Sequence, residues 1–187
     1  MTRAMRGFTL IEIIMVLAVI AIVTAVALPK LNLTGAKSDA ATREVSNLVM
    51  RAQRLAVTDG YNVNMLFDVS SNSIRLHEDA NNDNQIGNNE RVRRYPLGDG
   101  VTYGQGGAPA RPNGAGPFTF TRTMSGTPEV IFRRDGSASE NGTIYITTLN
   151  AQAAGRTQDA RAVEIVRATG RAERYKYTGS TWQRSSF

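Results

Sequence analysis

The chain has no cysteine among its 187 residues and a single histidine, His77. Disulfides, cysteine-bound metals and cysteine nucleophiles are therefore excluded, as is any multi-histidine metal site within one chain. Catalytic constellations are missing too. Serines and carboxylates fall mainly in turn-like stretches, and the glycine-rich segment 104–116 lacks the lysine and following helix of a phosphate loop. His77 lies in an alternating pattern, where a packed or surface histidine is the ordinary reading. No enzyme is expected, and no cofactor is required.

Charge is scarce in one place. From Phe8 to Leu28 the only ionisable side chain is Glu12, accompanied by Thr9 and Thr24. As a helix those residues would be about 31 Å long, close to the thickness of a bilayer's hydrocarbon core. After Pro29 the chain is polar enough for a soluble domain. Net charge is +6, and without Arg3 and Arg6 there remain 20 basic and 16 acidic side chains. That mild excess is compatible with nucleic acid or anionic lipid and demands neither.

Three readings compete for residues 1–29. A plain membrane span explains the length but not an acid within it, which costs roughly 2.5–3.5 kcal/mol near the bilayer centre. A secretory signal explains Arg3, Arg6 and the small-residue site Ala25-Val26-Ala27, again without using Glu12. The third takes Arg6-Gly7-Phe8-Thr9-Leu10-Ile11-Glu12 together, which resembles the start of type IV prepilins and pseudopilins. That resemblance implies cytoplasmic cleavage after Gly7 by prepilin peptidase and N-methylation of Phe8. It also implies pairing of Glu12 with the terminal amine of a neighbouring subunit, which would make a buried acid tolerable. Pro29 would then be the helix-bending proline of many pilins. Arg3 and Arg6 precede the apolar run as positive-inside expects, but Lys30 and Lys37 follow it.

Beyond the apolar run, residues 36–58 predict an amphipathic helix with an apolar stripe of Ala41, Val45, Leu48, Val49, Ala52, Leu55 and Ala56, ended by Gly60. From Tyr61 the period becomes two. Strands are expected at 61–69, 73–78, 91–95, 118–122, 130–134, 143–147, 162–167 and 171–177. Asp135-Gly136, Asn141-Gly142 and Thr169-Gly170 signal turns, and 104–116 a mobile surface loop. One long helix followed by many strands is an α+β arrangement. Phe132-Arg-Arg-Asp-Gly-Ser, Asn141-Gly-Thr-Ile-Tyr-Ile and Ala162-Val-Glu-Ile-Val resemble the GspH/FimT pseudopilin family. That implies a pilin-like fold: leader 1–7, hydrophobic helix 8–29, amphipathic half-helix 30–60 and a β-rich periplasmic head 61–187. It implies a minor pilin or pseudopilin anchored once in the inner membrane. Its partners would be other pilin subunits, the peptidase and the membrane, and its place the tip, or near it, of a type II secretion pseudopilus or type IV pilus.

Two further patterns stand out. Counting Asp79 as position one, Asn81 falls at three, Asp83 at five, Gln85 at seven and Glu90 at twelve, the oxygen-ligand spacing of an EF-hand calcium loop. Gln85 would offer its backbone carbonyl, and Asn84 replaces the usual glycine at six. The flanks read as strands, and Asn and Asp also favour turns for their own reasons, so a plain turn competes with a Ca2+ site. In the basic tail, Arg171, Arg174 and Lys176 are interleaved with Tyr175, Tyr177 and Trp182, a composition that can hold phosphates and stack bases. Some FimT-type pilins capture DNA through Gly-Arg-x-Arg. Here Gly170-Arg171-Ala172-Glu173-Arg174 carries an extra, acidic residue, and a charged edge strand is the competing reading. A DNA-capturing pilin is the alternative function, and a secreted calcium-binding domain released after Ala27 is a third.

Overall fold

The computed structural model describes residues 8–27 and 33–185; the leader with Gly7, and Pro29, lie outside them. The chain divides into two compact units, Met1–Leu33 and Thr34–Phe187.

In the first unit, helix α1 spans Leu10–Ala27. Thr9 starts it. Its Oγ1 accepts from the Glu12 N–H at 3.3 Å, while the Glu12 carboxylate accepts from Thr9 N at 2.8 Å and Thr9 Oγ1 at 2.9 Å. This is a reciprocal capping box, which supplies two otherwise unpaired donors at the helix start. Every large apolar side chain from Leu10 to Val23 is exposed. At 1.5 Å per residue α1 covers about 27 Å, somewhat short of the roughly 30 Å hydrocarbon core. Among the described residues no helix is long and apolar enough to cross a membrane.

Helix α2, Leu33–Asp59, lies in the second unit from Thr34 onward. Its stripe of Ala41, Val45, Leu48, Val49, Ala52 and Ala56 is buried as the spacing requires, and Gly60 ends the helix at φ 76°. Ten strands follow, β1 Asn62–Asp68, β2 Ser73–Asp79, β3 Arg91–Pro96, β4 Val101–Tyr103, β5 Thr123–Met124, β6 Thr127–Phe132, β7 Gly142–Thr148, β8 Arg161–Val166, β9 Arg171–Tyr177 and β10 Trp182–Arg184. A short helix α3, Leu149–Ala153, and a 3-10 turn, Thr157–Asp159, join β7 to β8. The strands form two five-stranded antiparallel sheets, ordered β3-β2-β1-β6-β5 and β10-β9-β8-β7-β4. The α+β order expected from the sequence is therefore present.

One core serves both sheets. The α2 stripe packs with Val63, Met65 and Phe67 of β1, Val130 and Phe132 of β6, Ile144 and Ile146 of β7, and Val163 and Ile165 of β8. Alternation along β1 and β2 turns Asn64, Leu66 and His77 to the opposite face of the first sheet, yet these too are buried. Something must cover that face.

Three expectations need correction. Residues 118–122 are not a strand. Phe118 makes one isolated bridge, to Ile144, and the N–H groups of Thr121 and Arg122 donate to the Glu140 carboxylate, so no neighbouring strand can use them. The rings of Phe118 and Phe120 instead stack on Phe67, each with centroids 5.1 Å away. The strand expected at 130–134 starts and ends earlier, because Arg133 enters a turn closed by Gly136 N to Arg133 O at 2.8 Å. The glycine-rich loop 104–116 is fastened. Tyr145 Oη donates to Gly114 O and accepts from Arg111 N, both at 2.7 Å, and Trp182 Nε1 donates to Pro109 O at 2.9 Å.

Candidate functional site

The connection from β2 to β3, residues 80–90, covers the outer face of the first sheet. Asp79 ends β2 and Glu90 immediately precedes β3, so the antiparallel pair brings the two ends of the loop together. The chain reverses through Asn82 at φ 59° and Asn84 at φ 58°. Asparagine tolerates this left-handed geometry better than most residues, which is how Asn84 stands in for glycine at the sixth position. Asp79 organises the turn, accepting from Asp83 N at 3.1 Å and Asn84 N at 3.0 Å. Asp83 accepts from Gln85 N at 2.8 Å and from Asn81 Nδ2 at 2.8 Å.

Carboxylate oxygens of Asp79, Asp83 and Glu90 all lie within 4.8 Å of one another. Of the five residues the spacing selects, these three acids converge. Asn81 sits beside them through its bond to Asp83, and Gln85 is held by its own N–H.

Sequence reading missed the floor beneath this loop. His77, fully buried, has Nε2 2.8 Å from Glu90 Oε2, which also accepts from Gly87 N at 2.8 Å. The Gly87 amide and then His77 hold the Glu90 carboxyl below the usual carboxylate range. Asn64 Nδ2 donates to Asn84 Oδ1 at 2.9 Å, and Asn84 Nδ2 to Glu129 Oε1 at 3.2 Å. Burial pushes the Glu129 carboxyl up, against the opposing pull of Asn84 and Arg122. For Asn64 and Glu129 the signal available was a polar residue set among apolar neighbours in β1 and β6; β2 alternates polar and apolar residues from Ser73 to His77 and offered no such signal for His77.

The basic tail is arranged differently. The β8–β9 register pairs Arg171 with Val166 and Arg174 with Val163, and strand alternation puts Arg171 and Arg174 on opposite faces. Lys176 shares the Arg174 face. Nearby arginines are paired with acids, Arg184 with Glu173 at 2.8 Å and Arg111 with Glu164 at 2.6 Å. Arg111 also lies 3.4 Å above the Tyr175 ring.

At the N-terminus, residues 2–28 match the family model of the prokaryotic N-terminal methylation motif. The chain therefore carries the N-methylation motif of prokaryotic prepilin-like proteins. Among solved structures it is similar to the minor pseudopilin EpsH of the Vibrio cholerae type 2 secretion system. Identity is 9%, coverage 80% of this chain and 96% of that one, and the TM-score 0.45. No curated protein matches it.

Proposed function

We propose that the chain is a structural subunit of the pilin class, a minor pilin or pseudopilin at or near the tip of a type II secretion pseudopilus or type IV pilus. The methylation motif over residues 2–28 carries the reading. On it, prepilin peptidase cuts after Gly7 and methylates Phe8, the helix from residue 8 holds the subunit in the inner membrane, and the head lies in the periplasm. Helix α1 supports this because large apolar side chains occupy every face of it and are exposed in the single chain, so it needs lipid or neighbouring helices around it. The role is mechanical and not catalytic. The DNA-capturing variant has less behind it, since the tail's basic side chains divide between two faces of β9 and neighbouring arginines are engaged with acids.

Glu12 has two duties on this reading, capping α1 in its own chain and attracting the terminal amine of a neighbour. They can be separated. Glu12→Gln keeps an acceptor at the capping position and removes the charge, whereas Glu12→Ala removes both. Both variants are expected to be processed to a chain starting with methylated Phe8, read by mass spectrometry, and both to drop out of sheared filaments. Incorporation of Glu12→Gln at the parent level would sink the charge-pairing step. An uncut N-terminus in the parent would sink the whole assignment.

A further inference from the structure

We infer that the β2–β3 loop is a calcium site, with Asp79, Asp83 and Glu90 as ligands and the loop pinned by the ion onto the outer face of the first sheet. Two independent observations point there. The first is the convergence of three carboxylates to within 4.8 Å, although Asp79 is 1% exposed and cannot rely on water to screen its neighbours. Like charges so close, in a partly dry setting, repel unless a cation lies between them.

The second concerns Glu90. Its side chain is only 5% exposed, and while Oε2 is held by His77 and Gly87, Oε1 accepts no hydrogen bond of ordinary geometry, the Asn81 amide acting on the carboxylate only weakly. A desolvated carboxylate oxygen without a partner costs free energy. Here it belongs to the very group that closes the acidic triad. A metal ion would supply the missing partner.

Hard oxygen donors exclude soft metals, and the chain has no cysteine to offer one. Calcium fits better than magnesium. It accepts six to eight oxygens in irregular geometry, so the three acids, the Asn81 carbonyl oxygen, loop carbonyls and water can all take part. Magnesium demands a near-ideal octahedron at shorter distances and gives up its waters reluctantly. Bonds from Asn64 and Glu129 to Asn84 already position the loop, so the ion has only to draw the acids together.

The site is independent of the N-terminal motif, and so is its test. The full chain in detergent micelles, stripped with a chelator, is melted at rising Ca2+ and, in parallel, at rising Mg2+. With affinity in the range of extracellular modules, about 10⁻⁴–10⁻³ M, 10 mM Ca2+ should raise Tm by roughly 3–11 °C, the rise growing with the logarithm of the calcium concentration. Asp83→Asn removes one of the three mutually repelling charges, so the metal-free Tm should hold or rise while the calcium response shrinks; Glu90→Gln combined with it should abolish the response. Calorimetric titration should show one site in the parent and none in the double variant. The inference is overturned by no calcium-dependent rise in the parent, by an equal rise with Mg2+, or by a rise that survives the double substitution.

Discussion

Gly170 shows how much a single position can carry. It sits at φ 60° in the turn between β8 and β9, and a Cβ there would run into the carbonyl oxygen of Gly136 in a second turn. Gln53 of α2 ties both turns down, its Nε2 donating to Gly136 O at 2.9 Å and to Thr169 O at 2.5 Å. Gly60 has the same backbone hand, at φ 76°, but open space where its Cβ would be. Gly60→Ala should therefore cost only the left-handed penalty, about 1 kcal/mol, and lower Tm by roughly 2–4 °C. Gly170→Ala adds displacement of backbone and should cost about 2–4 kcal/mol. Thermal melts of both variants check the ranking. Equal losses would mean that the two turns do not dock through this contact.

Among the elements, the turn joining β1 to β2 answers to pH. Asp68, the last residue of β1, accepts from Ser70 Oγ at 2.7 Å and from Ser71 N at 3.1 Å. Those bonds, Ser70's first, lower its pKa to about 2. The folded value lies below the unfolded one, so the stabilisation is present above about pH 4 and is lost as pH falls through about 2. With solvent screening it amounts to under about 1 kcal/mol. Asp68→Asn should melt below the parent at pH 6 and converge with it near pH 2, in paired melting curves; a constant gap across that range would rule the carboxylate out. The hairpin itself was legible from alternation at 61–69 and 73–78, as was α2 from its stripe and β9 from its own alternation. Segment 118–122 was not. Its alternating aromatics look like a strand, but the Glu140 carboxylate took the N–H groups a strand would share. Strands β4 and β10 are too short for a period to show. At the acidic loop, spacing found Asp79, Asp83 and Glu90, and it could not find His77 or Glu129, which reach the loop from other positions through sheet pairing. The capping box at Thr9 and Glu12 was present in the sequence as Thr-x-x-Glu, in a segment whose apolar character draws attention to membrane insertion before helix capping.

For the whole molecule, division into two units makes a claim about folding. Among the described residues, every buried residue of the main core lies between Ala41 and Ile165, within the second unit. The head's first contacts are made by the early turns of α2. Arg156 Nη2 donates to Thr34 Oγ1 at 2.9 Å, and Arg161, whose side chain is 3% exposed, pairs with Asp39 at 2.5 Å. A fragment of residues 34–187 retains all of these and should unfold cooperatively, with a Tm within a few degrees of the full chain's. A fragment of residues 47–187 loses Asp39, Ala41 and Val45 together. It leaves the buried Arg161 guanidinium without its carboxylate and opens a gap beneath the sheets. Breaking such a pair costs about 3–5 kcal/mol when both partners are buried, less here because Asp39 is 37% exposed, and the missing apolar side chains add a further loss. Against a total stability of roughly 5–15 kcal/mol, the shorter fragment should be largely unfolded at 37 °C. Circular dichroism melts distinguish the two. If the 34–187 fragment showed no cooperative transition, the apolar unit would be part of the folding unit, and the head could not be the self-sufficient body that its core composition describes.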